Sequence, residues 1–279
     1  MEKYELLPLQ LKREGTMEEE NFFTPKPIDI SDILAIHEKS YWQKLLDLDF
    51  SRQEELRSGF PISQQLVERE LVITGGSLQA SYYALENGVA FNIAGGTHHA
   101  YADRAEGFCL LNDIAISSKH LLSSNHVEQV LVIDLDVHQG NGTAKIFENE
   151  DRVFTFSMHG EKNYPLKKDV SNLDVPLPDR IRGRDYLQLL DQSLSKIFSK
   201  ITPDFIFYQS GVDILESDKL GRLGVSLEDC KERDRMVLEL AKERDIPIMS
   251  CMGGGYSKDI NVIVEAHANT YRLAREIFT

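Results

Sequence analysis

The stretch LVIDLDVHQGNGT, residues 131–143, opens with four apolar residues among its first five and then becomes charged. Leu131, Val132, Ile133 and Leu135 read as a strand buried on both faces, the pattern of a parallel sheet covered on either side. Asp134, Asp136 and His138 then arrive at alternate positions. Residues two apart on a strand share a face, so Asp136 and His138 are expected to aim at one point with Asp134 behind them. Burying carboxylates without a partner is costly, and this placement therefore asks for a counter-charge.

The rest of the chain supplies a sheet around this strand. Candidate strands are VAFNIAG (89–95), VLVIDLDV (130–137), VFTFSM (153–158), FIFYQS (205–210) and PIMSCM (247–252). Amphipathic stretches separate them. Tyr186, Leu190, Leu194, Ile197 and Ile201 form a stripe at helical spacing in 183–201. Ser226 and Asp229 form a capping pair that opens a helix over 227–243. Val262, Ile263, Ala266, Thr270, Leu273 and Ile277 line one face of a final helix. Strands alternating with helices predict right-handed crossovers and an α/β fold, a single three-layer domain over 1–279 with a central parallel sheet flanked by helices.

In such sheets ligands collect outside the carboxyl ends of the strands. GGTHHA follows the 89–95 strand and carries His98 and His99; Gly211-Val212-Asp213 follows 205–210; GGGY, ending at Tyr256, follows 247–252. Each has an ordinary structural reading alone, as a helix cap, a turn or a packed ring. Together, at one edge of one sheet, they mark a site. Asp136, His138 and Asp213 offer two carboxylates and one imidazole, the three-ligand pattern of a catalytic zinc centre with room for water. His98 and His99 are bases for a metal-activated water, and the Tyr256 hydroxyl is a donor for a developing oxyanion.

Composition narrows the partners. A net charge of −14 over 279 residues excludes the basic face of a duplex-binding protein and is compatible with a cationic substrate. Cys109, Cys230 and Cys251 form no Cys-x-x-Cys pair and no disulfide framework, so a cytoplasmic setting is expected. The N-terminal MEKYELLPLQLKREGTMEEE lacks the apolar core of a signal peptide, and no apolar run approaches the ~20 residues of a membrane span.

GGTHHA, GFCLLND (107–113), DLDVHQGNGT (134–143), Gly211-Val212-Asp213 and MGGGY (252–256), in this order, resemble the zinc-dependent histone deacetylases. HQGNG and DILESDKLGRLG (213–224) point to the class IV-like and bacterial branch. The resemblance implies the arginase–deacetylase fold and hydrolysis of an N-acyl-lysine amide. It implies zinc on Asp136, His138 and Asp213, with His99 as general base and later acid, His98 as its electrostatic neighbour, and Tyr256 polarising the carbonyl. Gly107, Phe108, Tyr164 and Gly254 would line the substrate tunnel. A potassium ion would sit at Asp134, Asp136, His138, Ser157 and Met158, partly on backbone carbonyls, and Asp134 would also orient His98. Lys3 falls near a basic residue that relatives place beside an internal channel. Arginases share the fold but bind two manganese ions, using an Asp two residues beyond the metal-binding His; that position here is Gly140, which favours one metal.

The chain also departs from the pattern. Asn141 stands where some deacetylases pair an Asp with the second His, so His99 is expected to be less basic. The loop RSGFP (57–61) lacks the rim Asp with which many relatives grip the substrate backbone. The resemblance implies a β-strand before MEKYELLP, inside the sheet, so a first strand is expected to be missing and to leave a gap. The expected partner is an acylated lysine in a peptide or protein. A small acylated amine such as an acetylpolyamine is the second reading, and a non-catalytic acyl-lysine binding protein the third, which would require a broken ligand set or a lost Tyr256.

Overall fold

The computed structural model describes residues 2–279. Among the described residues, ten α-helices and six strands follow one another. The N-terminal part carries α1 (Lys3–Arg13), α2 (Ile30–Leu34), α3 (Lys39–Leu46), α4 (Arg52–Ser58) and α5 (Gln64–Asn87). Strand β1 (Val89–Asn92) then leads to α6 (Asp113–Ser123), β2 (Val130–Asp134), α7 (Asn141–Ile146), β3 (Val153–Gly160) and β4 (Leu173–Leu177). The remainder is α8 (Gly183–Phe198), β5 (Phe205–Gln209), α9 (Leu227–Glu243), β6 (Ile248–Cys251) and α10 (Ile260–Phe278).

All strand pairs are parallel, in the order β1-β6-β5-β2-β3-β4. The apolar runs lack alternation because both faces are covered. Leu131, Ile133, Ile206, Tyr208 and Ile248 pack with buried residues of α8, α9 and α10. Val130, Val132, Phe205, Phe207 and Met249 pack on the other face with Ala80 and Ala84 of α5 and Ile114, Ala115 and Leu121 of α6. Burying an aliphatic or aromatic side chain is worth about 1.5–3 kcal/mol, so this two-sided core supplies most of the driving force.

The expected gap in the sheet is absent. The six strands pair without a break, so β2, β5 and β6 keep both neighbours, and β1 lies at an edge. Met1 lies outside the described residues. Strand ends also differ from expectation. Asn92 Oδ1 accepts from Ala94 N at 3.1 Å and turns the chain out of β1 after four residues. Asp134 Oδ1 accepts from Asp136 N at 3.2 Å and ends β2 at Asp134. Asp136 and His138 therefore lie beyond the strand, and a turn, not strand alternation, brings them together: His138 N donates to Asp136 Oδ1 at 3.0 Å. The 227–243 helix has the expected bounds, with the Ser226–Asp229 capping box formed.

The strand order sets the place of the site. From β2 the chain moves to β3 and β4 on one side, then returns to β5 and β6 on the other. The β2/β5 boundary is thus a topological switch point, where strand ends splay and leave a crevice.

Candidate active site

Asp136 and His138 follow β2, and Asp213 follows β5, on the two sides of that crevice. Each offers one ligand atom, and the three atoms lie within 4.8 Å of one another. His138 Nδ1 lies 3.1 Å from both Asp136 Oδ1 and Asp213 Oδ2. Asp136 is 1% exposed and Asp213 0%. Backbone donors hold the remaining oxygens: Gly254 N reaches Asp136 Oδ2 at 2.8 Å, and Val137 N reaches Asp213 Oδ1 at 2.9 Å.

Two buried carboxylates at one point need positive charge. Burial works to lower the basicity of His138, but the hydrogen bonds to Asp136 and Asp213 outweigh it and push its pKa up to about 10. Burial, followed by the neighbouring Asp136 charge, raises Asp213. A donor set that draws a proton this strongly fits a divalent cation. Among the described residues the set comprises these three side chains. Gly140 stands against the carboxylate of Asp134. A Cβ there would come 2.2 Å from Asp134 Oδ2, so any side chain would collide with that carboxylate.

His98 and His99 follow β1, with ring centroids 4.1 Å apart. His98 Nδ1 lies 2.7 Å from Asp134 Oδ2. Burial opposes its protonation, but the charge and hydrogen bond of Asp134 raise its pKa to about 9. His99 has the opposite setting. Burial first, then the positive charge of His98 and His138, holds it well below the ordinary histidine range. Its Nδ1 lies 2.6 Å from Asn141 Oδ1. One histidine is thus built to stay cationic and its neighbour to stay neutral.

Tyr256, after β6, lines the same cavity as His98, His99, Asp136 and His138. Burial and then the charges of Asp213 and Asp136 push its phenol far above its usual pKa, so the hydroxyl remains a donor. The cavity, about 1050 Å³, is also lined by Gly107, Phe108, Tyr164 and Gly254. Tyr164 sets its ring edge-on to His99 at 5.1 Å. Gly107 has φ +55°, and a Cβ there would meet His99 Cδ2 at 2.6 Å, so only glycine leaves the imidazole its space. Lys3 is buried at the inner end, where its Nζ donates to Gly253 O at 3.0 Å. The β2/β3 register sets Asp134 beside Ser157, with Met158 next along.

Two groups at the site escaped the sequence reading. Glu106 Oε1 accepts from Asn141 Nδ2 at 3.0 Å and from Tyr164 OH at 2.7 Å. Arg233, 0% exposed, pairs with Asp234 and donates to Gly211 O at 2.6 Å and Leu135 O at 3.3 Å. It clamps the chain just before Asp136 and Asp213. Its sequence signal was a charged pair on the buried stripe of α9, at helical spacing from Cys230 and Val237.

Known proteins share this fold. Over 97% of the chain, the structure superimposes on the crystal structure of an HDAC homologue complexed with SAHA, covering 77% of it, with a TM-score of 0.85 at 24% identity. A second fold neighbour is an HDAC homologue from Aquifex aeolicus, with TM-score 0.82 and 23% identity, covering 96% of this chain and 77% of that one. In sequence, the chain is 37% identical over 278 residues to an uncharacterized protein of Picosynechococcus, covering 100% of this chain and 93% of that one. It is 30% identical over 272 residues to histone deacetylase 2 of Arabidopsis thaliana, covering 94% of this chain and 70% of that one. The histone deacetylase domain model matches residues 1–271, and the chain belongs to the histone deacetylase family.

Proposed function

We propose that the protein is a zinc-dependent deacylase of the class IV-like branch, acting through one domain on the side-chain amide of acylated lysine. The observation that carries this reading is the juxtaposition, around one cavity, of the Asp136–His138–Asp213 set and the oppositely tuned His98 and His99. Asp136, His138 and Asp213 would hold the zinc, and when bound it supplies Lewis acidity to the amide carbonyl and to water.

The chain's own groups do the rest. His99, kept neutral, accepts the proton of the attacking water at Nε2 and later passes it to the leaving amine. His98, held cationic by Asp134, stabilises the negative charge that develops beside it. The Tyr256 hydroxyl donates to the carbonyl oxygen as it becomes an oxyanion. Gly107, Phe108, Tyr164 and Gly254 enclose the acyl-lysine stem and exclude bulk water. Asp134, Asp136, His138, Ser157 and Met158 would surround a potassium ion, with mixed side-chain and carbonyl oxygens suited to a hard cation. The three scattered cysteines fit a reducing cytoplasm. No helix among the described residues is long and apolar enough to cross a membrane.

The ligand set and Tyr256 are intact, which weighs against a purely binding role. The test is a hydrolysis screen of lysine peptides with acyl chains from acetyl to long-chain, run beside acetylpolyamines. Turnover of acyl-lysine peptides is expected, falling about 10²–10³-fold in Tyr256→Phe with metal content kept. Turnover confined to acetylpolyamines would replace the substrate class, and none at all would overturn the catalytic reading.

A further inference from the structure

The cavity mouth is basic although the protein is strongly acidic. Three segments far apart in the chain meet there: the end of α4, the 162–164 segment and the turn at 219–222. They bring Arg57, Lys162, Lys219 and Arg222 to the rim, all exposed. Asp179 alone partners two of them, at 2.7 Å from Arg222 and 3.9 Å from Lys162. Arg57 and Lys219 have no ion pair among the described residues. The carboxylates lining the same cavity, Glu70 and Asp136, are each 1% exposed and lie inside, away from the rim. Four cations therefore face solvent around the entrance, whereas the carboxylates in the same segments are engaged: Asp179 by Arg222 and Lys162, Asp218 by the N–H groups of Leu220, Gly221 and Tyr256, and Glu106 by Tyr164 and Asn141.

A field of this sign at a concave entrance raises the local concentration of anions and repels cations. The exposed apolar groups between the charges, Phe108, Leu220 and Leu56, offer contact area for a peptide backbone. We infer that the site selects acyl-lysine flanked by acidic residues, Asp or Glu on either side, and disfavours both lysine-rich segments and acylated polyamines. This rests on the deacylase reading: the global charge is acidic, and the charge at the entrance is not.

The test compares three acetyl-lysine peptides of equal length, flanked by Asp/Glu, by Gly/Ala or by Lys/Arg. Hydrolysis and direct binding of the same peptides are measured in parallel. The acidic peptide is expected to exceed the basic one in kcat/KM by about 5- to 20-fold in about 25 mM salt, carried by KM. The ratio should shrink toward unity in about 0.5 M salt. Arg57→Glu with Lys219→Glu should reverse the order. Equal values for the three peptides, a preference for the basic one, or a preference unchanged in the double variant would overturn the inference. Absent hydrolysis with the binding order retained would instead count against the deacylase reading alone.

Discussion

Glu106 Oε1 accepts a hydrogen bond from Asn141 Nδ2 at 3.0 Å, and this contact decides how the amide of Asn141 faces the proposed base. An ionised carboxylate only accepts, so the amide nitrogen must point to Glu106. The amide oxygen then faces His99 Nδ1, 2.6 Å away, which must carry the proton and leave Nε2 with its lone pair. Asn141 also donates to the Tyr101 hydroxyl at 2.8 Å, and that hydroxyl donates to Asp169, which supports the same orientation. Negative charge absent at Asn141 is thus supplied one bond further out.

Glu106→Gln should release this orientation, since a glutamine amide can present either group. A fall in kcat of roughly 10-fold with KM and metal content little changed is expected, a fraction of the roughly 10²–10⁴-fold that a positioned proton-transfer group contributes, because His99 itself remains. Imidazole 15N spectra of the labelled protein should show His99 shifting from the single Nδ1–H tautomer to a mixture. An unchanged tautomer and unchanged kcat would show that Glu106 serves only Tyr164.

Arg233→Met leaves Asp234 buried without its ion partner, although Tyr208 and Thr270 still donate to that carboxylate. Loss of one member of a buried pair costs about 3–5 kcal/mol, and denaturant unfolding should show a loss in that range. Adding Asp234→Asn should recover part of it. Metal affinity should fall as well, because Gly211 O and Leu135 O lose the clamp that fixes the chain before Asp213 and Asp136. Full stability in the single variant would mean that the pair contributes nothing net.

His37, 1% exposed, accepts from Asn112 N at 3.0 Å through Nε2, so the folded state requires it neutral. Burial lowers its pKa from 6.5 to about 4. The unfolded chain therefore binds the extra proton first as pH falls. The stability this histidine contributes is present in full above pH 6.5 and is lost progressively between pH 6.5 and about 4, by about 3 kcal/mol at the lower end. His37→Gln, which keeps an acceptor without a titrating group, should flatten that part of the stability profile; an unaltered slope would refute the assignment.

Much of this was legible in the sequence because the site residues stand at the ends of recognisable strands. Five of the six strands follow from short, mainly apolar runs. The sixth, β4, did not: Asp174 and Pro176 break its run, as an edge strand with β3 as its one partner permits. His98, His99, Asp213 and Tyr256 are legible by position after a strand, and Asp134, Asp136 and His138 by alternate spacing at the end of one. Glu106 is not, since its link to Asn141 spans 35 residues and no periodicity relates the two. The basic entrance was hidden for the same reason. Arg57, Lys162 and Lys219 sit in unrelated segments, and their shared location exists only in the folded chain. Net charge, summed over the whole surface, pointed the other way.

The most direct measurement is a zinc titration of chelator-stripped protein, with hydrolysis of the Gly/Ala-flanked acetyl-lysine peptide as the readout. The single Asp136–His138–Asp213 set predicts no activity in the stripped protein, a rise that saturates at about one ion per chain, and no response in Asp136→Ala or Asp213→Ala. Full activity without metal, or saturation only at two tightly held ions in the same cleft, would contradict it.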